Sequence, residues 1–430
     1  MNLTEIGTVA ERPLKVVITG TFLRYNKGGA AMGMATAQLF ASHFPNCEIT
    51  FLSPHSQKDR KVYSDHPVIA CSRTQYRGLW VLIKASIWWL LRTVIRYDYR
   101  SLRADSELAT YYQADLVVDL SGDTLTEDLG TLVLFSHLTS LYIAMSFGRP
   151  VVLFGQTIGP FKTWGWLVKL FLRRCAAIIA RDDPTVEYLR HIGIPQELVH
   201  RSVDSAFFLA PLSTEDASEA AKSAGYDPET EVTVGITVSQ LMEMRYKRKN
   251  SEAINRSFAQ VMARAIDAIV ARYDCRVILF PHVIGPREFL DDRIMARRVR
   301  DLVEGKASVL VVNEDLDPRL IKAMIGQCDA FIGCRMHSNI AALTMCVPTL
   351  AISYSVKYRG IMGMLGQQHR VIEIQNLDDE ILVTKFDEIW QHRDSIRQEL
   401  NAALNAVEQD GVDNMQVVRQ VLMAHGRASS

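Results

Sequence analysis

The sequence predicts an α/β protein made of two doubly wound, Rossmann-like halves that face each other across a cleft. Three observations lead there. A chain of 430 residues exceeds what one hydrophobic core organises and suits two domains of roughly 200 residues each. Short β-branched runs alternate with longer helical patterns along most of its length, the signature of parallel α/β architecture. The strand candidates are near-continuously apolar, as expected where helices cover both faces of a sheet.

In the first half the strand candidates are Leu14–Gly20, Glu48–Ser53, Asp115–Leu120, Pro150–Gly155 and Ala176–Ala180, with helical stretches at Ala30–His43, Leu132–Phe147 and Trp164–Arg174. Residues 211–231 (PLSTEDASEAAKSAGYDPETE) are polar and acidic, with Leu212 the lone large aliphatic, and read as a linker. The alternation restarts with Val232–Val238, Arg276–Phe280, Ser308–Val312, Ala330–Gly333 and Thr349–Ile352. The expected division is an N-terminal domain at 1–210 carrying a helical insertion at 76–104, a linker at 211–230, a C-terminal domain at 231–376, and closing helices at 377–430 that reach back to brace the first half. Open parallel sheets bind ligands beyond the carboxyl ends of their strands, so those ends are where functional side chains are sought.

Apolar residues make up 48% and charged residues 22% of the chain, which excludes wholesale disorder and fibrous folds. Lys+Arg and Asp+Glu are 48 each, so the formal net charge is zero and a general nucleic-acid binder is not expected. Seven scattered cysteines with no CxxC pair suggest neither a disulfide framework nor a zinc site. The start, MNLTEIGTVAERP, lacks the apolar core of a signal peptide. A cytoplasmic protein is expected.

One stretch departs from the pattern. Leu79–Ile95 is mostly apolar and holds Trp80, Trp88 and Trp89, yet Lys84 and Arg92 interrupt it and it is short for a bilayer span. Arg92, Arg96, Arg100 and Arg103 then recur at helical spacing. Tryptophan beside arginine suits a helix lying among anionic headgroups, which would place the protein at the inner face of the plasma membrane. A core helix with a solvated cationic end is the plainer alternative.

The chemistry-bearing motifs cluster at strand ends. After the first strand, TGTFLRYNKGGAAMGM (residues 19–34) brings Asn26, Gly28 and Gly29 before a helix, where backbone N–H groups can approach an anion or a sugar. The spacing is not GxGxxG, and a tight turn packed on the sheet edge is the alternative. Ser121-Gly122-Asp123 follows an apolar strand and projects the Asp123 carboxylate as a candidate base, or as a mere turn or cap. In GQTIGP (residues 155–160), Gln156 is placed to hydrogen-bond a polar ligand. The second half offers Arg245 with Lys247, Arg248 and Lys249 past one strand end, and His282 at the mouth of another. The sharpest is Gly333-Cys334-Arg335-Met336-His337, where a strand gives way to a helix. There Arg335, the helix N-terminus with the Met336 N–H, and His337 together suit a phosphate or carboxylate beside a group that titrates near neutral pH.

With these residues in hand, the chain resembles the polysaccharide pyruvyl transferase family from Gly28-Gly29 to about Gln367. The most specific piece is Arg335-Met336-His337, supported by Gly122-Asp123, GQTIGP, Phe280-Pro281-His282, and Tyr354 with Lys357. The resemblance implies a two-Rossmann fold similar to B-type glycosyltransferases. It also implies transfer of the enolpyruvyl carbons of phosphoenolpyruvate onto two hydroxyls of a sugar, giving a cyclic ketal and phosphate. On that reading Arg335, the Met336 amide and Arg245 hold the donor, with Lys357 among the binding residues. His337 or His282 is the general acid, Asp123 the base, and the first half takes the acceptor. No metal or cofactor is expected; phosphoenolpyruvate enters as co-substrate. The partner is a saccharide, lipid-linked on a polyprenyl carrier or free, and homo-oligomerisation is left open. Family members often carry an acidic residue where this chain has Gly29, and glycine where it has Ser121. The rivals are a nucleotide-sugar glycosyltransferase of the same fold, in which Glu314 or Asp315 would meet a ribose, and an inactive membrane-docked scaffold.

Overall fold

Runs of β-branched and aliphatic residues become parallel strands, several of them buried throughout. The computed structural model describes residues 12–21, 24–60, 66–71, 75–95, 105–249, 256–354 and 357–426; the side chains of residues 58, 75–79, 95, 248, 249 and 357 lie outside that description. The chain forms two compact units. The first comprises the described residues of 1–22, 36–205 and 409–430, the second those of 23–35 and 206–408.

The first unit contains β1 (Leu14–Thr19), β2 (Cys47–Ser53), β3 (Val68–Ala70), β4 (Leu116–Asp119), β5 (Val151–Gln156), β6 (Ala177–Ala180) and β7 (Val199–Arg201), in the order β3-β2-β1-β4-β5-β6-β7. Every pair is parallel, with Val16 opposite Leu116 and Thr19 opposite Asp119 where β1 meets β4. The second unit contains β8 (Thr233–Thr237), β9 (Arg276–Leu279), β10 (Val309–Val311), β11 (Ala330–Gly333), β12 (Thr349–Ser353) and β13 (Val371–Glu373), ordered β10-β9-β8-β11-β12-β13 and again all parallel. In each sheet the winding reverses between the first strand and the fourth. That reversal opens a crevice at the carboxyl ends, the usual ligand position in a doubly wound sheet. It lies beyond β1 and β4 in the first unit, and beyond β8 and β11 in the second.

Two expectations are corrected. The supposed linker is folded: Ser213 accepts the Asp216 N–H to cap a helix at Thr214–Ala224, and Ala217, Ala221 and Tyr226 join a core with Ile321 and Met324. Small side chains at i and i+4 let this helix lie close on its neighbour Pro318–Gly326, so it needs no large aliphatics. The supposed insertion is part of the crossover from β3 to β4. It forms a helix at Gln75–Leu90 with a π turn at Leu91–Ile95, and it buries Val81, Ala85 and Trp88 in the first unit's core. Of the basic stripe, Arg92 lies over the Trp88 ring at 5.0 Å, and Arg96, Arg100 and Arg103 fall outside the described residues. The last helix, Arg393–Ala424, belongs to the first unit from Gln409 onward, where Asp410 pairs with Arg201 and Arg419 lies over the Phe44 ring.

Candidate active site

The second unit's crevice collects its basic residues. β11 ends at Gly333, and Arg335 precedes the helix Met336–Thr344 in extended backbone. The Arg335 guanidinium is gripped by Asp292, Nε to Oδ2 at 3.0 Å and Nη2 to Oδ1 at 2.6 Å. Asp292 is fully buried, and its Oδ2 also accepts the N–H groups of His282 and Val283, at 3.3 and 2.9 Å. Burial alone would lower the Arg335 pKa, but Asp292 overturns that and raises it, so the guanidinium stays charged. This fork fixes Arg335 in one orientation while three of its five N–H donors stay uncommitted by Asp292.

The segment before the first helix supplies the rest. Residues 23–35 belong to the second unit. Asn26 bridges to Val283, the Lys27 N–H donates to the His282 carbonyl at 2.9 Å, and the Ile284 N–H donates to the Tyr25 carbonyl at 2.9 Å. The Lys27 ammonium is fully buried, 2.5 Å from Asp315 Oδ1, and Arg24 holds the other Asp315 oxygen at 2.8 Å. Burial pulls Lys27 below the ordinary lysine range, with Asp315 opposing. The Asn26 side chain accepts the N–H groups of Gly28 and Gly29 at 3.0 and 3.3 Å, capping the helix Lys27–His43. Gly28 lies directly on His337: a β-carbon there would sit 2.2 Å from the imidazole Nδ1. Only glycine allows that approach.

His282 is buried, and its Nδ1 has no hydrogen-bond partner among the described residues. Its pKa is lowered well below the usual histidine value, first by burial, then by His337, Arg335 and Lys27. Behind this group, Tyr358 donates to the Cys334 carbonyl at 2.9 Å and makes an edge contact with Tyr354, over which Arg245 lies at 5.6 Å. Burial pushes Tyr358 well above the phenolic range, with the Met336 amide among the influences pulling it back.

The first unit's crevice is built on Asp119. Its Oδ1 accepts from the Ser121 N–H at 3.0 Å, from the Ser121 hydroxyl, and from Gln156 Nε2 at 2.6 Å. His137 joins this group with Nδ1 2.7 Å from the Ser121 hydroxyl and Nε2 2.7 Å from the Thr124 hydroxyl. These bonds shape the turn that leaves Asp123 exposed. Nearby, burial alone would lower the pKa of Arg181, but Asp204, Asp123 and Asp182 together raise it.

The structure thus brings Arg335, His337, His282, Asn26, Gly28, Gly29 and Arg245 into the second unit, and Asp123 and Gln156 into the first. Two expected roles change. The loop of Asn26, Gly28 and Gly29 was assigned to the acceptor half, yet it packs with the donor candidates because Lys27 and Arg24 anchor it on Asp315. Gln156 is fully buried, and its amide nitrogen donates to Asp119, so it holds the turn. Lys357 opens a helix at Lys357–Met364, and its side chain lies outside the described residues. Sequence reasoning missed Lys27 and Asp292, although a lysine inside a Gly-rich strand-end loop was a visible signal. All seven cysteines are free thiols. Among the described residues no group of three or more His, Cys, Asp or Glu is arranged for a metal ion, and no helix is long and apolar enough to cross a membrane.

Comparison with known proteins adds a family. A sequence model described as polysaccharide pyruvyl transferase matches residues 26–356. The amylovoran biosynthesis protein AmsJ of Erwinia amylovora is 23% identical over 317 residues, 73% of this chain and 74% of that one. A glycosyltransferase from Rickettsia africae superposes with a TM-score of 0.59 at 10% identity, covering 96% of this chain and 99% of its own. UDP-GlcNAc 2-epimerase from Neisseria meningitidis does so with a TM-score of 0.58 at 10% identity, covering 95% and 100%. These likenesses show the fold, that of B-type glycosyltransferases and epimerases.

Proposed function

Since the chain belongs to the polysaccharide pyruvyl transferase family, we propose that it moves the enolpyruvyl carbons of phosphoenolpyruvate onto two hydroxyls of a saccharide, forming a cyclic ketal and releasing phosphate. The observation that carries this reading is the side-chain group of the second unit, in which Asp292 fixes the Arg335 guanidinium just before the helix that carries His337, and His337 lies against Gly28. Phosphoenolpyruvate is small and multiply anionic, so it calls for fixed cations and amides in place of an apolar pocket.

On this reading Arg335, held by Asp292, takes a carboxylate or phosphate through its remaining N–H groups. His337 gives a proton to the methylene carbon, which becomes the methyl group, and the neighbouring carbon turns electrophilic. The first sugar hydroxyl attacks that carbon and loses its proton to Asp123. The second hydroxyl then displaces phosphate, which leaves carrying the second proton. Loss of the acid or the base should each cost on the order of 10²–10⁴-fold in rate. One of the two acids that would meet the ribose of a nucleotide sugar, Asp315, is already held by Lys27 and Arg24.

The test is phosphate release from phosphoenolpyruvate with a panel of lipid-linked and aryl glycosides, beside an Arg335→Ala control. Release that needs both a glycoside and Arg335 supports the proposal. No release, together with no rise in melting temperature on adding phosphoenolpyruvate, overturns it.

A further inference from the structure

Three neighbouring helices of the first unit share an unusual composition. The helix Gln75–Leu90 packs on Thr131–Ser146, with the Ser86 and Tyr142 hydroxyls 3.0 Å apart. That helix in turn packs on Gly165–Leu172, with Phe135 edge-on to Trp164 at 5.0 Å. Residues 75–95, 131–149 and 161–175, which hold these helices, contain eight Lys or Arg and no Asp or Glu, in a chain where the two signs balance at 48 each.

The first helix is apolar on two faces. Val81, Ala85 and Trp88 fill the core, while Trp80, Ile83, Ile87, Leu90 and Val94 recur at helical spacing on the solvent side. Trp80 is 65% exposed and Val94 68%. The other two helices add Leu132, Trp166 and Leu170, with Trp166 63% exposed. Each of the three helices follows a strand, β3, β4 or β5, so all begin at the carboxyl edge of the sheet, the edge that also carries Asp123. Apolar side chains exposed at this density mark a surface that meets something apolar.

We propose that this face is a docking surface for an anionic membrane, with the tryptophans and aliphatics sunk at the headgroup boundary and the lysines and arginines among the phosphates. Charge decides the occupant. A second copy seated on the same face would oppose like charges with no acid from these helices to neutralise them, whereas an anionic leaflet attracts every cation on it. Exposed tryptophan is the side chain favoured at the lipid–water boundary. Lys84 reaches Asp105 at 3.3 Å, a half-buried pair that headgroups can replace.

The full-length protein is sedimented with vesicles of phosphatidylcholine alone and with about a third phosphatidylglycerol, at low and high salt. Binding should need the anionic lipid and weaken with salt. Reversing Lys84, Lys162 and Arg174 to Glu together should lower binding by about 100-fold or more. Trp80→Ser with Trp166→Ser should weaken it while leaving the melting temperature unchanged, since both side chains are already in water. Equal binding to neutral and anionic vesicles overturns the proposal, as does no binding. A dimer in solution that the tryptophan pair breaks also overturns it, and would make a second copy the occupant. Vesicle binding needs no phosphoenolpyruvate, and phosphate release from a soluble aryl glycoside needs no vesicle, so this proposal and the proposed reaction fail separately.

Discussion

Gly28→Ala tests the donor site through one methyl group. A β-carbon at residue 28 would lie 2.2 Å from Nδ1, 2.4 Å from Cγ and 2.8 Å from Cβ of His337, where ordinary contact begins at 3.4 Å. The imidazole must therefore retreat by the difference, about 1.2 Å. His337 is only half-buried, so it can swing aside, and the fold should survive. Alanine is also the better helix former by up to about 1 kcal/mol. A misplacement of about 1 Å in a catalytic group costs on the order of 10²-fold in rate, or about 2.7 kcal/mol of transition-state stabilisation. The expected outcome is a kcat for phosphate release lower by about that factor with a melting temperature near that of the parent. The same substitution on a His337→Ala background should cost far less, because the imidazole is gone and only the contact with the residue 337 β-carbon at 2.8 Å remains. A Gly28→Ala protein within about threefold of parental turnover would refute the reasoning. So would a full additional loss on the His337→Ala background.

Other predictions concern what holds the second unit together. Asp292→Ala leaves the buried Arg335 fork and two amides without their acceptor; urea unfolding should show a loss of about 3–5 kcal/mol, partly recovered by adding Arg335→Met. Gly333→Ala would put a β-carbon 1.5 Å from Asn339 Oδ1; it should destabilise by about 2 kcal/mol or more in thermal melts, with Asn339→Ala restoring part of the loss. Lys322 is buried with its ammonium on the Leu209 carbonyl at 2.6 Å, and burial lowers its pKa to about 8. Between that value and the ordinary lysine pKa of about 10.4 the unfolded chain holds more protons, so stability should rise with pH across this window, the cost being fully present below it. Relative to Lys322→Met, the parent should gain up to about 3 kcal/mol across the window in urea midpoints; parallel pH profiles would refute this.

Ten strands were legible because parallel strands covered on both faces are continuous apolar runs. The three that were not, β3, β7 and β13, have three residues each, and in Val-His-Arg and Val-Ile-Glu half the pattern is polar. They form through pairing at or near the sheet edge, which no local window records. The helix at Thr214–Ala224 was lost for the opposite reason: its buried face is alanine, so the segment reads as solvent-facing although Ala217 and Ala221 are completely covered. In the crossover helix the alternation of Trp80 and Trp88 between water and core needs the fold to decide it.

Arg335 and His337 were readable because a glycine-terminated strand running into a helix fixes their place before any contact is known. Asp292 was not, since an acid at a helix start ordinarily serves as a cap, and its partner lies 43 residues away. Lys27 is a harder case, its carboxylate being 288 residues downstream. That pairing changes the meaning of the Gly28-Gly29 loop. Chain position assigned the loop to the acceptor half, but it belongs to the second unit, where Gly28 lies against the imidazole of His337. A departure from the family pattern at Gly29 therefore bears on how the donor site is closed. Acceptor specificity is then better sought at Ser121, whose hydroxyl links Asp119 to His137 beside the exposed Asp123. If so, Ser121→Gly should change which glycoside supports phosphate release while leaving the thermal shift with phosphoenolpyruvate intact. A changed shift with unchanged acceptor preference would reverse that assignment.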